Sequence, residues 1–423
     1  MHPIMVLRNP ILPYAWGSAT AIPELLGRAP DGGPQAEMWM GAHPKAPSTL
    51  VDGAKERPLP RAIAADPEGM LGPAARERFG DALPFLFKIL AAAAPLSIQA
   101  HPDRDEARAG FDRETAAGIP LDAPHRNYRD SHPKPECIRA LAPFWGLCGF
   151  RPTDEAEALL RAFCGADFEP LRSGLAAGGA EPFRDFYEKL MTLGPARLRA
   201  ALNRAEDHAR NSGRETPEGR WLARLAAAHP GDPGILSPLF LNLIRLEPGE
   251  ALFLPAGELH AYLDGLGVEI MANSDNVLRG GLTPKHVDVP ELIRRARFRP
   301  RRPPVLRPEP VSAVESVYPA PAEEFRLSQV RPSPAPEGFR VRSLEILLGI
   351  EGEAALTVPD TGQRVLLGRG TVLLVPFAVG AYTAAGSGLF FRAAVPVSRP
   401  LRPCPFTPAG DAVPGARFRE VMK

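Results

Sequence analysis

Cysteine is scarce in this chain. Cys137, Cys148, Cys164 and Cys404 are four in 423 residues, and no two stand as CxxC. That excludes a disulfide scaffold, argues against zinc-ribbon and thioredoxin-type motifs, and suits thiols kept reduced in a cytoplasmic protein. A charge excess is missing too. The net charge is +1, so nucleic acid is not the expected partner, because phosphate-backbone binding leaves a basic surplus. A small anion remains possible, since it needs only a local cluster of cations. Long apolar runs are also absent. None reaches the ~20 residues of a membrane helix, and the longest, such as 89–98, is interrupted by proline. The first residues lack the apolar core of a signal peptide.

The length suits two or three domains. The 50 prolines and 39 glycines suit a turn-rich β protein. Apolar runs at 84–90, 95–100 and 136–150 read as buried strands. The character changes near Pro152. Thr153 before Asp154 and Glu155 is a helix start. Phe183, Phe186, Tyr187 and Leu190 then recur at helical spacing, followed by Leu198, Leu202 and Ala205, and by Trp221, Leu222 and Leu225. Such a stripe is helix–helix core rather than a cofactor box. Strand character returns at 239–246. A short helix is expected over 289–295, and the arginine- and proline-rich 297–308 reads as an extended strap.

Four separated residues read as one metal site. Gln99 and His101 stand at i and i+2, which puts them on one face of a strand. Glu136 ends Lys134-Pro135-Glu136. His260 closes Gly249-x5-Pro255-x-Gly257-x2-His260, where a glycine turn, an apolar strand, a bend and a new strand follow in order. That cadence resembles the second signature of cupin barrels, which point alternate side chains inward around a metal. A lone strand histidine is usually a satisfied polar side chain, and His2, His43, His125, His132, His208, His229 and His286 take that reading. The joint context lifts the other four residues above it. Mixed nitrogen and oxygen ligands suit one Zn²⁺ per chain, or another first-row divalent ion. Gly370-x5-Pro376 repeats Gly249-x5-Pro255, with Ala378 and Ala381 in place of Gly257 and His260. A second barrel without metal explains this. Arg279 and Lys285 follow His260, and Lys88 and Lys134 lie on segments beside the other ligands. A metal ringed by cations suits a phosphorylated polyol and enolate chemistry upon it; the plainer alternative is surface charge.

The expected fold is therefore mainly β with a helical insertion: two cupin-type (jelly-roll) β-barrels plus an α-helical domain. The metal-binding catalytic barrel is drawn from 1–152 plus 231–310. The insertion, 153–230, is expected to cover one side of the pocket mouth, and a metal-free barrel spans 311–423.

Longer segments carry a more specific resemblance: Tyr14-Ala-Trp16-Gly17-Ser18, Glu37-Met-Trp39-Met-Gly41, Leu86-Phe-Lys88-Ile-Leu90, Ser97-Ile-Gln99-Ala-His101-Pro102-Asp103, and Gly267-Val-Glu269 through Asn273-Ser-Asp275-Asn276 to Arg279-Gly-Gly-Leu-Thr-Pro-Lys285. The chain resembles the type I mannose-6-phosphate isomerase (phosphomannose isomerase) family. The resemblance implies that Gln99, His101, Glu136 and His260 bind zinc and that Arg279 is the active-site arginine. It implies interconversion of mannose 6-phosphate and fructose 6-phosphate through a cis-enediolate. Lys134 is the first candidate for the proton-transferring base. Asp275 is the second, or it orients Lys134 or Arg279. Ser97, Lys88 and Lys285 are candidates for contacts with sugar hydroxyls or phosphate. Trp39 is assigned to packing. One departure stands out. The family commonly reads Asn-His-Lys-Pro-Glu, and here Pro133 replaces that histidine, with His132 one place earlier. The expected partner is a small phosphorylated sugar, and the expected state a monomer. Two rival readings are an iron-dependent cupin oxygenase and a sugar-phosphate-binding cupin without turnover.

Overall fold

A computed structural model describes residues 3–52 and 55–397, so Cys404 and the last part of the expected third unit lie outside the described residues. Two large antiparallel sheets carry the chain. The first holds β1 (Glu37–Gly41), β2 (Phe85–Ala92), β3 (Ile98–Ala100), β4 (Glu136–Ala140), β5 (Phe144–Phe150), β6 (Leu241–Leu246), β7 (Ala251–Leu254), β8 (His260–Ala272) and β9 (Leu278–Gly281). The expected strands at 84–90, 95–100, 136–150 and 239–246 are all present, with shifted or shorter bounds or a break.

β8 organises this sheet. Its later residues, from Gly265 on, pair with β2, and from Gly267 on with β4 as well. Its first residues pair with β3 and β5 instead. The change of partners falls at Gly265, where φ is +136° and a Cβ would meet Phe144 at 2.7 Å. Only glycine takes that corner without strain. One strand thus lines two layers of the fold.

Strand alternation sorts side chains to opposite faces. Phe85, Phe87 and Ile89 of β2, Cys137 of β4 and Val268 and Ile270 of β8 face outward into a layer shared with Leu327, Ile346, Leu374 and Phe391 of the second sheet. Burying each such large side chain is worth roughly 1.5–3 kcal/mol, which fixes one sheet on the other. The intervening residues, including Leu90 of β2, Ile138 of β4 and Tyr262 of β8, face inward with Leu252 and Leu254. Lys88, Glu136 and Glu269 share that inner face.

The second sheet runs Arg326–Val330, Ala381–Ala394, Glu345–Thr357, Val372–Val375 and then Met5–Arg8, Thr49–Asp52 and Lys55–Pro58. The strands at 5–8, 49–52 and 55–58 therefore belong with the C-terminal half, unlike the expected grouping of 1–152. The reason is pairing: Val6 lies opposite Leu373 on one side and Val51 on the other. The glycine–proline repeat is visible in the backbone. Gly249 and Gly370 both have positive φ, 101° and 75°. Each precedes a four-residue strand, and a long strand of 13 or 14 residues follows.

Helices occupy the insertion as expected, among them Thr153–Cys164, Ala180–Met191, Pro195–Arg210 and Pro217–Ala228. Phe183, Phe186, Tyr187 and Leu190 are buried with Leu202, Ala205, Trp221, Leu222 and Leu225, and so are Ile98 and Ala100 of β3 and Leu259 and Ala261 beside His260. The insertion therefore packs behind the ligand-bearing strands. Apolar residues alternating with Gln99 and His260 draw it there. No described helix is long and apolar enough to cross a membrane. Cys137, Cys148 and Cys164 are free and buried.

Candidate metal centre and active site

Backbone pairing assembles the site. His260 lies directly opposite Gln99 on β3, and Gln99 lies opposite Arg279 on β9. Residues directly opposite in an antiparallel pair project to the same face. Gly257 makes the turn before β8 with φ +76°, where a Cβ would meet Arg297 at 2.7 Å. Its N–H donates to the carbonyl of His101 at 2.7 Å, tying the two histidine segments together.

His101, Glu136 and His260 converge with their ligand atoms within 4.8 Å of one another, all three buried. The His101 and His260 Nε2 atoms stand 3.3 Å and 3.5 Å from the two Glu136 oxygens. Each Nδ1 faces a backbone carbonyl, of Asn276 at 2.8 Å and of Glu258 at 2.9 Å. A carbonyl can only accept, so each Nδ1 carries the hydrogen and each Nε2 turns a bare lone pair toward the carboxylate. Lone pairs facing one another in this way suit a shared cation, and carbonyl-anchored imidazoles are the usual metal-ligand arrangement. Burial, and then the charge of Lys134, push His101 down to about 4, so the ring stays neutral. Burial works to raise the Glu136 carboxyl, but the charge of Lys134 works against it and holds it well below the usual carboxylate range. The donor set fits a divalent first-row ion. Gln99 donates to the Ser97 hydroxyl at 3.2 Å, leaving its carbonyl oxygen for the cavity.

A cavity of about 70 Å³ opens beside these atoms, lined by Ser97, Gln99, Lys134, Glu136, His260, Lys88, Glu37, Tyr262 and Glu269 among others. Lys134 Nζ donates to Glu136 at 2.6 Å and lies 3.5 Å from His101 Nε2. Lys88 sits 3.0 Å from Glu269 and 3.7 Å from Glu37. Burial opposes its charge, but Glu269, Glu37 and Glu136 hold the ammonium above the ordinary lysine range. Glu269 accepts from the Tyr262 hydroxyl at 2.7 Å, and Glu37 from the Trp39 indole at 2.6 Å. Trp39 thus holds a carboxylate as well as packing. Burial raises the Glu269 carboxyl, against the pull of Lys88.

Sequence reasoning had passed over Glu37, Glu269 and Tyr262 as site residues. A signal was there: Lys88 and Glu269 are lone charges in apolar strand runs, and the register sets them opposite each other. Other expected residues lie elsewhere. Asp275 does not line the cavity. It pairs with Lys45 at 2.8 Å and His43 at 3.5 Å. Burial works to raise its carboxyl, and those hydrogen bonds hold it well below the usual range. Its side chain pairs with Lys45 and His43, and no bond to Lys134 or Arg279 is made among the described residues. Lys285 is exposed, and Arg279 is half-buried on β9. His132 is exposed. Pro133 and Pro135 line a different hollow, with Asp103, Arg104 and Pro255, on the face opposite Lys134 and Glu136. The substitution at 133 therefore falls outside the ligand cavity.

Comparison with known proteins decides the family. The model of the phosphomannose isomerase type I catalytic domain matches residues 4–153. Mannose-6-phosphate isomerase of Salmonella typhimurium is 41% identical over 391 residues, covering 91% of this chain and 98% of its own. The chain belongs to the type I phosphomannose isomerase family. Mannose-6-phosphate isomerase of Escherichia coli is also 41% identical, over 83% of this chain and 89% of its own length. The zinc-bound holo crystal structure of a mannose 6-phosphate isomerase superposes with a TM-score of 0.85 at 38% identity, covering 93% of this chain and 99% of that one. The His–Glu–His group thus lies in a family with a zinc-bound member.

Proposed function

We propose that this chain is a zinc-dependent aldose–ketose isomerase that interconverts mannose 6-phosphate and fructose 6-phosphate through a cis-enediolate. The observation that carries the reading is the convergence of His101, Glu136 and His260 beside a cavity holding Lys88, Lys134 and Glu269, in a chain of this family. One zinc per chain would be held by these three residues and Gln99. Bound there, it supplies a Lewis acid for the sugar oxygens.

The chain's own residues do the rest. Isomerisation moves one proton between C2 and C1. Lys134 is the amine closest to the ligand atoms and is the proposed carrier: acting as the neutral amine, its Nζ takes the proton from C2, becomes the ammonium that pairs with Glu136, and returns the proton to C1 on the same face. Arg279, on the strand next to Gln99, sets a fixed positive charge against the enediolate. Ser97 and Lys88 line the cavity where sugar hydroxyls would lie. Lys285 is left to the periphery.

In architecture, the reading is a metal-bearing cupin barrel built around β1–β9 and a metal-free barrel around the C-terminal sheet, the protein acting as a cytoplasmic monomer. A coupled assay with mannose 6-phosphate, before and after chelation, tests the function. Turnover lost on chelation and restored by zinc is expected. Turnover that needs oxygen would favour the oxygenase reading, and tight binding without turnover the non-catalytic one.

A further inference from the structure

We propose that Arg129 is a phosphate-binding residue, holding the 6-phosphate of the sugar at the end of the site beyond Arg279. The proposal rests on the sugar-phosphate reading above and adds to it a residue taken from the loop before Lys134.

The argument begins with what the neighbouring arginines do. Arg113 and Arg295 each reach Glu291 at 3.1 Å. Arg104 reaches Glu324 at 2.8 Å. Arg126, three residues before Arg129, is locked by its Nε to the Tyr128 carbonyl at 2.7 Å and by its NH2 to Thr115 at 2.8 Å. Arg129 and Arg279 differ. Both are half-buried, and among the described residues neither guanidinium has a carboxylate or carbonyl partner.

The nearest acids are already committed. Asp130 Oδ1 accepts from the Ser274 hydroxyl at 2.8 Å and the His132 N–H at 3.0 Å, and its Oδ2 from the Asp275 N–H at 2.8 Å. Asp275 is taken by Lys45 and His43. Two cations thus stand together with no anion between them. Burial, and next the charge of Arg129, lower Arg279 from the usual arginine value. The Arg129 N–H bonds to Asn276, three residues before Arg279, which brings the two arginine segments together, so a repulsion acts between like charges. A bound anion would relieve it. A phosphate monoester carries about −1.5 to −2 charges near neutral pH, and planar guanidinium forks match its oxygens.

The placement suits a substrate that also reaches the metal ligands. The Arg129 N–H donates to Asn276 Oδ1 at 2.7 Å, and the carbonyl of that same Asn276 anchors His101. One buried residue therefore holds both the Arg129 backbone, through its side chain, and a ligand, through its carbonyl. Arg279 lies opposite Gln99, which lies opposite His260. These are three adjacent strands about 4.8 Å apart. A six-carbon chain with its carbonyl end at the ligand atoms runs across β3 and brings its phosphate toward β9 and Arg129. Arg279 then stands between the two ends, and Arg129 touches the phosphate alone.

The test uses the zinc-loaded full chain with Arg129→Gln and Arg129→Lys, and inorganic phosphate as a competitive inhibitor. A residue that holds the phosphate equally in ground and transition states acts on KM. Arg129→Gln is expected to raise both the KM for mannose 6-phosphate and the inhibition constant of inorganic phosphate by about tenfold or more, the scale of one charge-assisted hydrogen bond. The loss should not fall on kcat, and zinc content and Tm should match wild type. Arg129→Lys keeps the charge without the fork and should lose less. Unchanged KM and inhibition constant in both variants would overturn the proposal, as would a loss confined to kcat. If the wild-type chain turns over no mannose 6-phosphate, the isomerase reading falls by itself. Calorimetric titration with inorganic phosphate then decides this one: binding that weakens in Arg129→Gln upholds the anion site, and binding indifferent to Arg129 removes it.

Discussion

His101 donates its Nδ1 hydrogen to the backbone carbonyl of Asn276 at 2.8 Å. The Asn276 side chain meanwhile accepts from the Arg129 N–H and donates to the carbonyls of Asp130 and His132. A ligand and the loop leading to Lys134 and Glu136 are therefore held by one fully buried residue. Asn276→Ala keeps that carbonyl but removes the side-chain bonds that fix its position and the loop, so zinc affinity should weaken by about 10-fold, the low end of what loss of a ligand-supporting contact costs, which chelator competition would show. His260→Ala should go further and lose both metal and activity. A soluble, folded His260→Ala protein with full zinc occupancy would refute the site assignment.

Arg279→Ala should lower kcat by on the order of a hundredfold or more, the scale of losing a main oxyanion stabiliser, with zinc content unchanged. Enediolate charge exists only near the transition state, so the cost belongs to kcat. If steady-state kinetics show only a higher KM, Arg279 binds ground and transition states alike.

Lys134→Ala should abolish turnover, and with it exchange of the C2 proton into solvent. Proton exchange followed by NMR in deuterated water is the direct measurement. Exchange at the wild-type rate would remove Lys134 as the base. Glu269 would then lead, because it lines the cavity and burial raises its carboxyl, whereas Asp275 is held low by its partners.

Acid should weaken the metal-free fold through His101. Its ordinary value is 6.5, and in the fold it is about 4. Between these, the unfolded chain binds the proton more readily. Stability from keeping this ring neutral is thus whole above about 6.5 and is lost as pH falls through about 4. After chelation, the wild-type Tm should fall more steeply over that window than the Tm of His101→Asn. Equal slopes would count against a buried neutral His101.

Much of the site could be read from the chain because its spacings are strand spacings. Gln99 and His101 at i and i+2, and His260 after a glycine turn, carry their geometry in their order. Lys134 and Glu136 obey the same period, which also explains why Pro133 faces elsewhere. What escaped depends on register between distant strands. Nothing local says that Glu269 lies opposite Lys88, or that Trp39 holds Glu37. The surroundings of Asp275 were hidden for a similar reason: its partners, His43 and Lys45, come from a segment over two hundred residues earlier. The helical insertion was recognisable from its 3.6-residue stripe, but its position behind β3 required knowing which face of that strand was apolar.

The pairing of Met5–Arg8 with Val372–Val375 also constrains how the molecule can be made. On a ribosome, the strand at 5–8 emerges early, and one of its two neighbours emerges near the far end of translation. Until then, one edge of that strand has open hydrogen-bonding groups, a condition that invites wrong partners. A fragment cut after the metal-bearing strands, near residue 310, would keep all four proposed ligands. It would also leave the strand at 5–8 permanently half-paired and the outer face of β2 uncovered. Such a fragment is expected to aggregate rather than bind zinc as a folded unit, which makes the C-terminal sheet a folding partner of the active site although it contributes no ligand to it.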